Sequence, residues 1–85
     1  MSMPPDRPSL WILSAGDSAV IQGVEGSDID AAARRLIDIG FREGQRVTCL
    51  MTPGFGAPRV FAVGGATYSL DRATAARITL REPIE

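Results

Sequence analysis

The feature that most constrains the fold of this chain is a pair of glycines, Gly64 and Gly65, between two alternating segments. Two consecutive glycines suit the two-residue turn of a tight β-hairpin, because glycine adopts the positive φ angles that such turns require. A two-residue turn also fixes the strand register and places the apolar side chains on one face. The predicted pairs are Val63 with Ala66, Phe61 with Tyr68 and Arg59 with Leu70, and the apolar face comprises Phe61, Val63, Ala66, Tyr68 and Leu70.

A helix is predicted over residues 28–39, where apolar residues recur at the three- and four-residue spacing of one helical stripe. Ser27 followed by Asp30 resembles a capping box at its start. Gly40 supplies the left-handed residue that ends a helix, and Phe41 follows where its ring can pack back on the last turn. The stripe consists of Ile29, Ala32, Ala33, Leu36 and Ile37.

Three further strands are predicted over residues 19–25, 46–51 and 77–80. Gly23, inside the first of them, indicates a bulge or a close approach of another backbone segment. Alternation in the second strand places three apolar side chains on one face, with the single cysteine of the chain among them as a buried core residue. These three residues are Val47, Cys49 and Met51.

The remaining segments complete the predicted architecture. Residues 52–58 form a loop, because they contain two prolines and two glycines, and residues 72–76 form a short helical turn capped by Asp71. No parallel βαβ repeat is present, so the pattern favours a mainly β, small α+β fold: one antiparallel sheet curled into a small barrel, with one inserted helix. Residues 1–8 are predicted to be a flexible tail, and residues 9–85 form one domain.

The composition excludes several classes of function. The chain has no histidine, which removes the usual general base and the usual metal ligand. We therefore predict no catalytic residue, no metal site and no cofactor.

The net charge is −1 and the arginines are dispersed, which disfavours binding to nucleic acid. The apolar runs are far shorter than the roughly 20 residues of a membrane-spanning helix, and no secretory signal is visible, so the protein is expected to be cytoplasmic.

Residues that are poorly explained by a buried core indicate where a partner could bind. Phe41 and Arg42 follow the helix, and for Phe41 packing in the core is favoured over a role in an interface. Phe55 stands between glycines in the 52–58 loop, with Arg59 nearby, and aromatic and arginine side chains are enriched in protein–protein hot spots. These four residues are the predicted partner-binding set. Trp11 is interpreted as an anchor of the N-terminal segment on the barrel.

Many positions after residue 9 follow a recognisable order: Leu13, Gly16, Ala19, Ile21, Val24, Arg35, Leu36, Ile39, Gly40, Phe41, Gly44, Val47, Pro53, Gly56, Ala57, Pro58, Val63, Gly65, Ser69, Leu70, Ala75, Ala76 and Ile78. Taken together, they resemble the ferrous iron transport protein A (FeoA) family. The most specific stretch is residues 35–44, which join the helix end to the next strand. The resemblance covers nearly all of the chain after residue 9. Two departures concern surface positions: the 52–58 loop is one residue longer than the family's usual loop, and Asp71 stands where the family has arginine.

The resemblance implies an SH3-like antiparallel β-barrel that acts as an accessory in bacterial ferrous iron uptake. The implied partner is the membrane-bound transporter FeoB, contacted through its cytoplasmic G-domain region, so that the membrane is reached only through the partner. A similar barrel occurs in DtxR-like regulators, so a metal-responsive domain is an alternative function. A small RNA-binding barrel is a third possible function. Edges of a small open barrel can also pair, so a homo-oligomer stays open.

Overall fold

Five antiparallel strands and two helices make up the regular structure of residues 8–85, the part of the chain that the computed structural model describes. They form one sheet in the order β4-β3-β2-β1-β5. Within these residues no helix is long and apolar enough to cross a membrane. The strands are β1 (Ser18–Val24), β2 (Arg46–Met51), β3 (Arg59–Val63), β4 (Ala66–Leu70) and β5 (Ile78–Arg81), and the helices are α1 (Ala31–Ile39) and α2 (Arg72–Ala75).

The β3–β4 hairpin has the predicted register, in which Phe61 pairs with Tyr68 and Val63 with Ala66. Both turn glycines have positive φ angles, 59° and 84°. The predicted apolar face is buried at Phe61, Val63 and Leu70, whereas Tyr68 is half-buried and Ala66, next to the turn, is exposed.

Strand β1 is shared between two neighbours, and this curls the sheet. Its first half pairs with β2 and its second half with β5. The ladder to β5 passes from the pair of Ile21 and Leu80 to the pair of Gly23 and Thr79, so β1 contains one extra residue at Gln22. This confirms the bulge that Gly23 predicts, and the added twist of a bulge suits a strand that changes partners.

The helix begins three residues later than predicted. Asp30, not Ser27, is the N-cap, and its carboxylate accepts a hydrogen bond from the Ala32 N–H at 2.9 Å. The preceding residues form a turn instead, because the carbonyl of Gly26, whose φ is 80°, accepts hydrogen bonds from the backbone N–H groups of residues 29 and 30. Ile29 was expected on the buried helix stripe, and that prediction is wrong: its side chain is 86% exposed.

The end of α1 agrees with the prediction in detail. Gly40 has a φ of 134°, and the N–H of Phe41 donates to the carbonyl of Leu36 at 2.9 Å. The Phe41 ring is fully buried, with its centroid 5.5 Å from that of Tyr68. The Tyr68 hydroxyl donates to the carbonyl of Ile39 at 2.9 Å, so the hairpin and the helix end are joined by both apolar and polar contacts.

Strand β2 departs from the prediction at its last residue. Val47 and Cys49 are fully buried, as the alternation predicts, but Met51 is 56% exposed. The register to β3 shifts between Cys49 and Met51, where Met51 pairs with Val60. A bulge inserts one residue and reverses the side-chain alternation beyond it, so Met51 faces outward.

The N-terminal segment belongs to the barrel. Leu10–Ile12 forms a 3-10 turn that contacts α2 and β5, and both Leu10 and Leu13 are fully buried. The predicted tail, residues 1–8, lies outside the described residues except for Pro8, whose carbonyl accepts a hydrogen bond from the Leu80 N–H at 2.8 Å. These side chains join one apolar core to which both helices and all the strands contribute.

Two helix caps are held by carboxylates with lowered pKa values. The pKa of Asp30 lies below its ordinary value, chiefly because the Arg77 guanidinium donates a hydrogen bond to it, and the Ala32 N–H contributes as well. The pKa of Asp71, the N-cap of α2, is lowered by its hydrogen bonds to the side chain and backbone of Thr74. Both carboxyl groups therefore favour the charged form in the native state.

We expect the native state to lose stability as the pH falls below about 4. A carboxyl whose pKa is lower in the native than in the unfolded state contributes fully above the unfolded-state pKa. Its contribution disappears as the pH falls through the native-state pKa. Urea midpoints should therefore decline in acid, and decline less in the double variant Asp30→Asn/Asp71→Asn, because an amide does not titrate. Asparagine still caps helices, so the variant should remain folded. Equal acid dependence of the variant and the parent protein would contradict this assignment.

Candidate functional site

The loop between β2 and β3 carries an unusual backbone conformation at its tip. Phe55 and Gly56 have φ angles of 63° and 72°, and the Ala57 N–H donates to the Gly54 carbonyl at 3.3 Å. Two successive positive φ angles are the signature of a type I′ turn, which glycine and asparagine normally occupy. Among the described residues, Phe55 is the one residue other than glycine with a positive φ. A bulky residue in this conformation is strained, and no packing of its side chain compensates for the strain.

The Phe55 side chain is fully exposed, with a relative accessibility of 111%. Leu50 and Met51, at the end of the preceding strand, are 47% and 56% exposed. We call these three residues the apolar tip. A single exposed apolar residue needs no explanation, but a strained and fully exposed phenylalanine in a loop that follows two more exposed apolar residues has the composition expected of a binding surface.

Leu50 and Met51 were absent from the predicted partner-binding set. The alternation of β2 already indicates Leu50, because a strand that buries Val47 and Cys49 must turn the residues between and beyond them outward. Met51 carries no such signal, since its exposure depends on the bulge that precedes β3. The tip thus combines one residue predicted from its loop, one that alternation could have identified, and one that only the structure identifies.

Arg59, the first residue of β3, is directed toward the N-terminal segment. Its guanidinium carbon lies 4.0 Å from the centroid of the Trp11 ring, and its Nη1 donates a hydrogen bond to the Trp11 carbonyl. Stacking of this kind holds an arginine in place through cation–π attraction. Its buried Nε atom has no hydrogen-bond partner within residues 8–85. Arg59 therefore anchors the Trp11 segment beside the loop, which agrees with the interpretation of Trp11 as an anchor.

The structure separates the four residues of the predicted set. Phe41 is fully buried, which confirms the core packing favoured for it over a role in an interface. Arg42 is exposed, and its Nε donates a hydrogen bond to the carbonyl of Ile37 at 3.2 Å. This bond gives a partner to one of the carbonyl groups in the last turn of α1. Of the four, Phe55 alone presents its whole side chain to solvent.

The thiol of Cys49 lies in the core beneath the tip. Burial raises its pKa, and the thiol makes a weak 3.9 Å hydrogen bond to the carbonyl of Met51. A thiol with a raised pKa stays protonated at neutral pH, and the protonated form is a poor nucleophile and metal ligand. In the described part of the chain, no three histidine, cysteine, aspartate or glutamate side chains come together in a group that could hold a metal ion.

The sheet order, the curled β1 and the inserted helix define the protein as a small SH3-like β-barrel domain. The family model of the FeoA domain matches residues 9–82. This chain is a member of the FeoA family. Among proteins with curated functions, none matches it in sequence.

Solved structures show the same relationship. FeoA of Stenotrophomonas maltophilia, a procaryotic SH3 domain protein complexed with zinc, is 32% identical, and the match covers 87% of this chain and 89% of that one with a TM-score of 0.78. The FeoA protein of Chlorobium tepidum is 30% identical over 86% of this chain and 68% of its own, with a TM-score of 0.73. A manganese-dependent transcriptional repressor is 26% identical over 89% of this chain but only 42% of the repressor, with a TM-score of 0.70.

Proposed function

We propose that this protein is an accessory of bacterial ferrous iron uptake that acts by binding the cytoplasmic part of a FeoB-type transporter. Membership of the FeoA family supports the link to iron transport. The S. maltophilia relative is itself described as a candidate bacterial ferrous iron transport activating factor. The proposed role is one of binding in the cytoplasm, without catalysis and without a cofactor, and it reaches the membrane only through the transporter.

The single observation that carries this proposal is the strained, fully exposed Phe55 in the apolar tip. Interfaces concentrate their binding energy in a few aromatic or arginine side chains that fill pockets, surrounded by contacts that exclude water. Phe55 has the chemistry of the central residue, and Leu50 and Met51 have that of the surrounding apolar contacts. We therefore propose that the tip inserts into an apolar pocket in the cytoplasmic part of the transporter.

The turn also favours binding for an entropic reason. A rigid loop loses less conformational freedom on association than a flexible one, so more of the contact energy appears as affinity. The Gly54–Ala57 hydrogen bond closes the turn at the tip of the loop, and the adjoining β2–β3 pairing holds its base. The Arg59 contacts with Trp11 fix the neighbouring start of β3. In this proposal Arg59 helps to position the tip through its contacts with Trp11, and Phe55 contacts the transporter.

Binding of the purified protein to the FeoB cytoplasmic domain tests the proposal, with calorimetry as the measurement. We expect Phe55→Ala to weaken binding by about 30-fold or more, because truncating a central aromatic residue of an interface costs about 2 kcal/mol or more. Ile29→Ala is the matched control, since Ile29 is 86% exposed and lies in a different loop. That variant should bind like the parent protein.

Three outcomes of this titration are informative. Weaker binding of Phe55→Ala, with Ile29→Ala binding like the parent protein, supports both the proposed partner and the apolar tip as the contact surface. Equal binding by both variants and the parent protein supports the partner but rejects the tip as the contact. No binding by the parent protein at high concentration rejects the proposed partner.

A metal-responsive domain is the second candidate, because the structural match extends to a manganese-dependent repressor. Equilibrium dialysis against Fe²⁺ under anaerobic conditions separates it from the first. Tight, stoichiometric uptake of the metal by the purified chain would favour the second candidate. We expect none, because the Cys49 thiol is buried and protonated and the hard-cation ligands Asp30 and Asp71 are engaged in helix caps.

A further inference from the structure

The two edges of the sheet differ in how they are covered. The edge strand β5 pairs on its outer side with the N-terminal segment, where Ser9 forms a bridge with Thr79 and the Pro8 carbonyl accepts from the Leu80 N–H. The opposite edge strand, β4, has no such cover: within residues 8–85 no other backbone segment bonds to it besides β3.

The hairpin register identifies which groups of β4 face outward. Residues that flank a two-residue turn, here Val63 and Ala66, form a hydrogen-bonded pair, and such pairs alternate along an antiparallel ladder. The pairs of Tyr68 and Leu70 with β3 are therefore also hydrogen-bonded pairs. It follows that the N–H and C=O groups of the intervening residues, Thr67 and Ser69, point away from β3 along the outer edge.

This edge lacks the features that normally prevent strands from pairing. Charged side chains, proline and bulges protect exposed edges, yet β4 (Ala66–Leu70) contains no charged residue and no proline. Its five pairs with β3 run without a register shift, in contrast to the ladders of β1 with β5 and of β2 with β3. The outward side chains of Thr67 and Ser69 are small, polar and exposed.

We propose that the β4 edge is a dimerisation surface on which a second copy of this chain pairs antiparallel to the first. The outward groups of Thr67 and Ser69 lie symmetrically about Tyr68, so a two-fold axis beside Tyr68 sets each Thr67 opposite Ser69 of the second copy. Both members of each pair then donate and accept, which satisfies all the outward groups of the strand. An edge that is complementary to itself in this way is what a two-fold symmetric interface requires.

The side chains allow this pairing. Thr67 and Ser69 of the two copies face each other as small hydroxyl residues, and no like charges oppose one another. The Tyr68 side chain is held away from the edge by its contacts with the Phe41 ring and the Ile39 carbonyl. Because the shared ladder is only one short strand, the dimer should be weak and should depend on concentration.

Sedimentation velocity of the full chain from about 10 μM to about 1 mM tests the proposal. The parent protein should pass from monomer to dimer over this range. Thr67→Pro should weaken dimerisation by at least about tenfold, because proline removes the outward N–H without touching the ladder to β3. Thr67→Val, which keeps the N–H, is the matched control and should dimerise. Circular dichroism verifies that each variant is folded.

A second measurement identifies the strand directly. In the parent protein, hydrogen exchange at the Thr67 and Ser69 amides should slow as the concentration rises, while exchange at exposed loop amides should not change. A monomer at all concentrations would overturn the proposal. So would a dimer that forms equally well with Thr67→Pro, because its interface would then lie elsewhere. Phe55→Ala should dimerise normally, which separates this surface from the apolar tip.

Discussion

Replacing Phe41 with alanine lowers the free energy of unfolding by about 3 to 5 kcal/mol, the loss typical of a large aromatic residue removed from a packed core. The ring is fully buried and contacts Tyr68 at the point where α1 meets the hairpin. Because domains of this size are stable by about 5 to 15 kcal/mol, the variant should be only marginally folded. Urea unfolding followed by the fluorescence of Trp11, the single tryptophan, measures the loss.

Phe55→Ala is the matched control for this prediction, since it makes the same chemical change at a fully exposed site. Its free energy of unfolding should stay within about 0.5 kcal/mol of the parent value. If Phe41→Ala does not fold, Phe41→Leu provides a milder truncation with a measurable loss. Similar stability losses for Phe41→Ala and Phe55→Ala would show that the two rings are not divided between core and surface as described.

Leu10→Ala should lower the free energy of unfolding by about 2 to 5 kcal/mol, although Leu10 precedes the first strand of the sheet. Its side chain is fully buried in the core, and the 3-10 turn that holds it contacts α2 and β5. Removing its methyl groups leaves a cavity where three elements meet. Thermal or urea unfolding of the variant checks this expectation.

Ile12→Ala tests the same turn with a matched change. Ile12 lies two residues further along and is 55% exposed, so its truncation should cost less than about 1 kcal/mol. An equal effect of the two variants would indicate that the turn acts through its backbone alone. A negligible effect of Leu10→Ala would show that the N-terminal segment is dispensable for the barrel.

The parts of the fold that local chemistry specifies were predictable from the sequence. The register of the hairpin follows from Gly64 and Gly65, because a two-residue turn leaves no other pairing. The end of α1 follows from Gly40, whose positive φ stops the helix and lets Phe41 turn into the core. In both places a glycine and its apolar neighbours indicate the same structure.

The errors arose where tertiary contacts decide between local alternatives. Ser27 and Asp30 are both good N-caps, and the sequence does not show that Arg77, distant along the chain, binds Asp30. With Asp30 as the cap, Ile29 lies outside the helix and in solvent. The exposure of Met51 likewise depends on a bulge opposite β3, which no alternation within β2 reveals.

The candidate site was predictable in part for the same reason. Phe55 stands between two glycines in a loop with nothing to bury it, and the structure leaves its side chain in solvent. Arg59 was expected to assist it at the surface, but its cation–π contact with Trp11 directs it inward. The sequence contains both residues, yet their contact depends on how the N-terminal segment folds over the start of β3.

The sharing of β1 between two neighbours has a consequence for biosynthesis. A nascent chain can form the pairing of β1 with β2 and the β3–β4 hairpin early, but β5 must leave the ribosome before Leu80 can pair with Ile21 and cover the second half of β1. Until then that half, with Val24 near its end, exposes apolar surface to solvent. Completion of the barrel therefore waits for β5, and until it closes the exposed apolar surface is open to aggregation and to capture by chaperones.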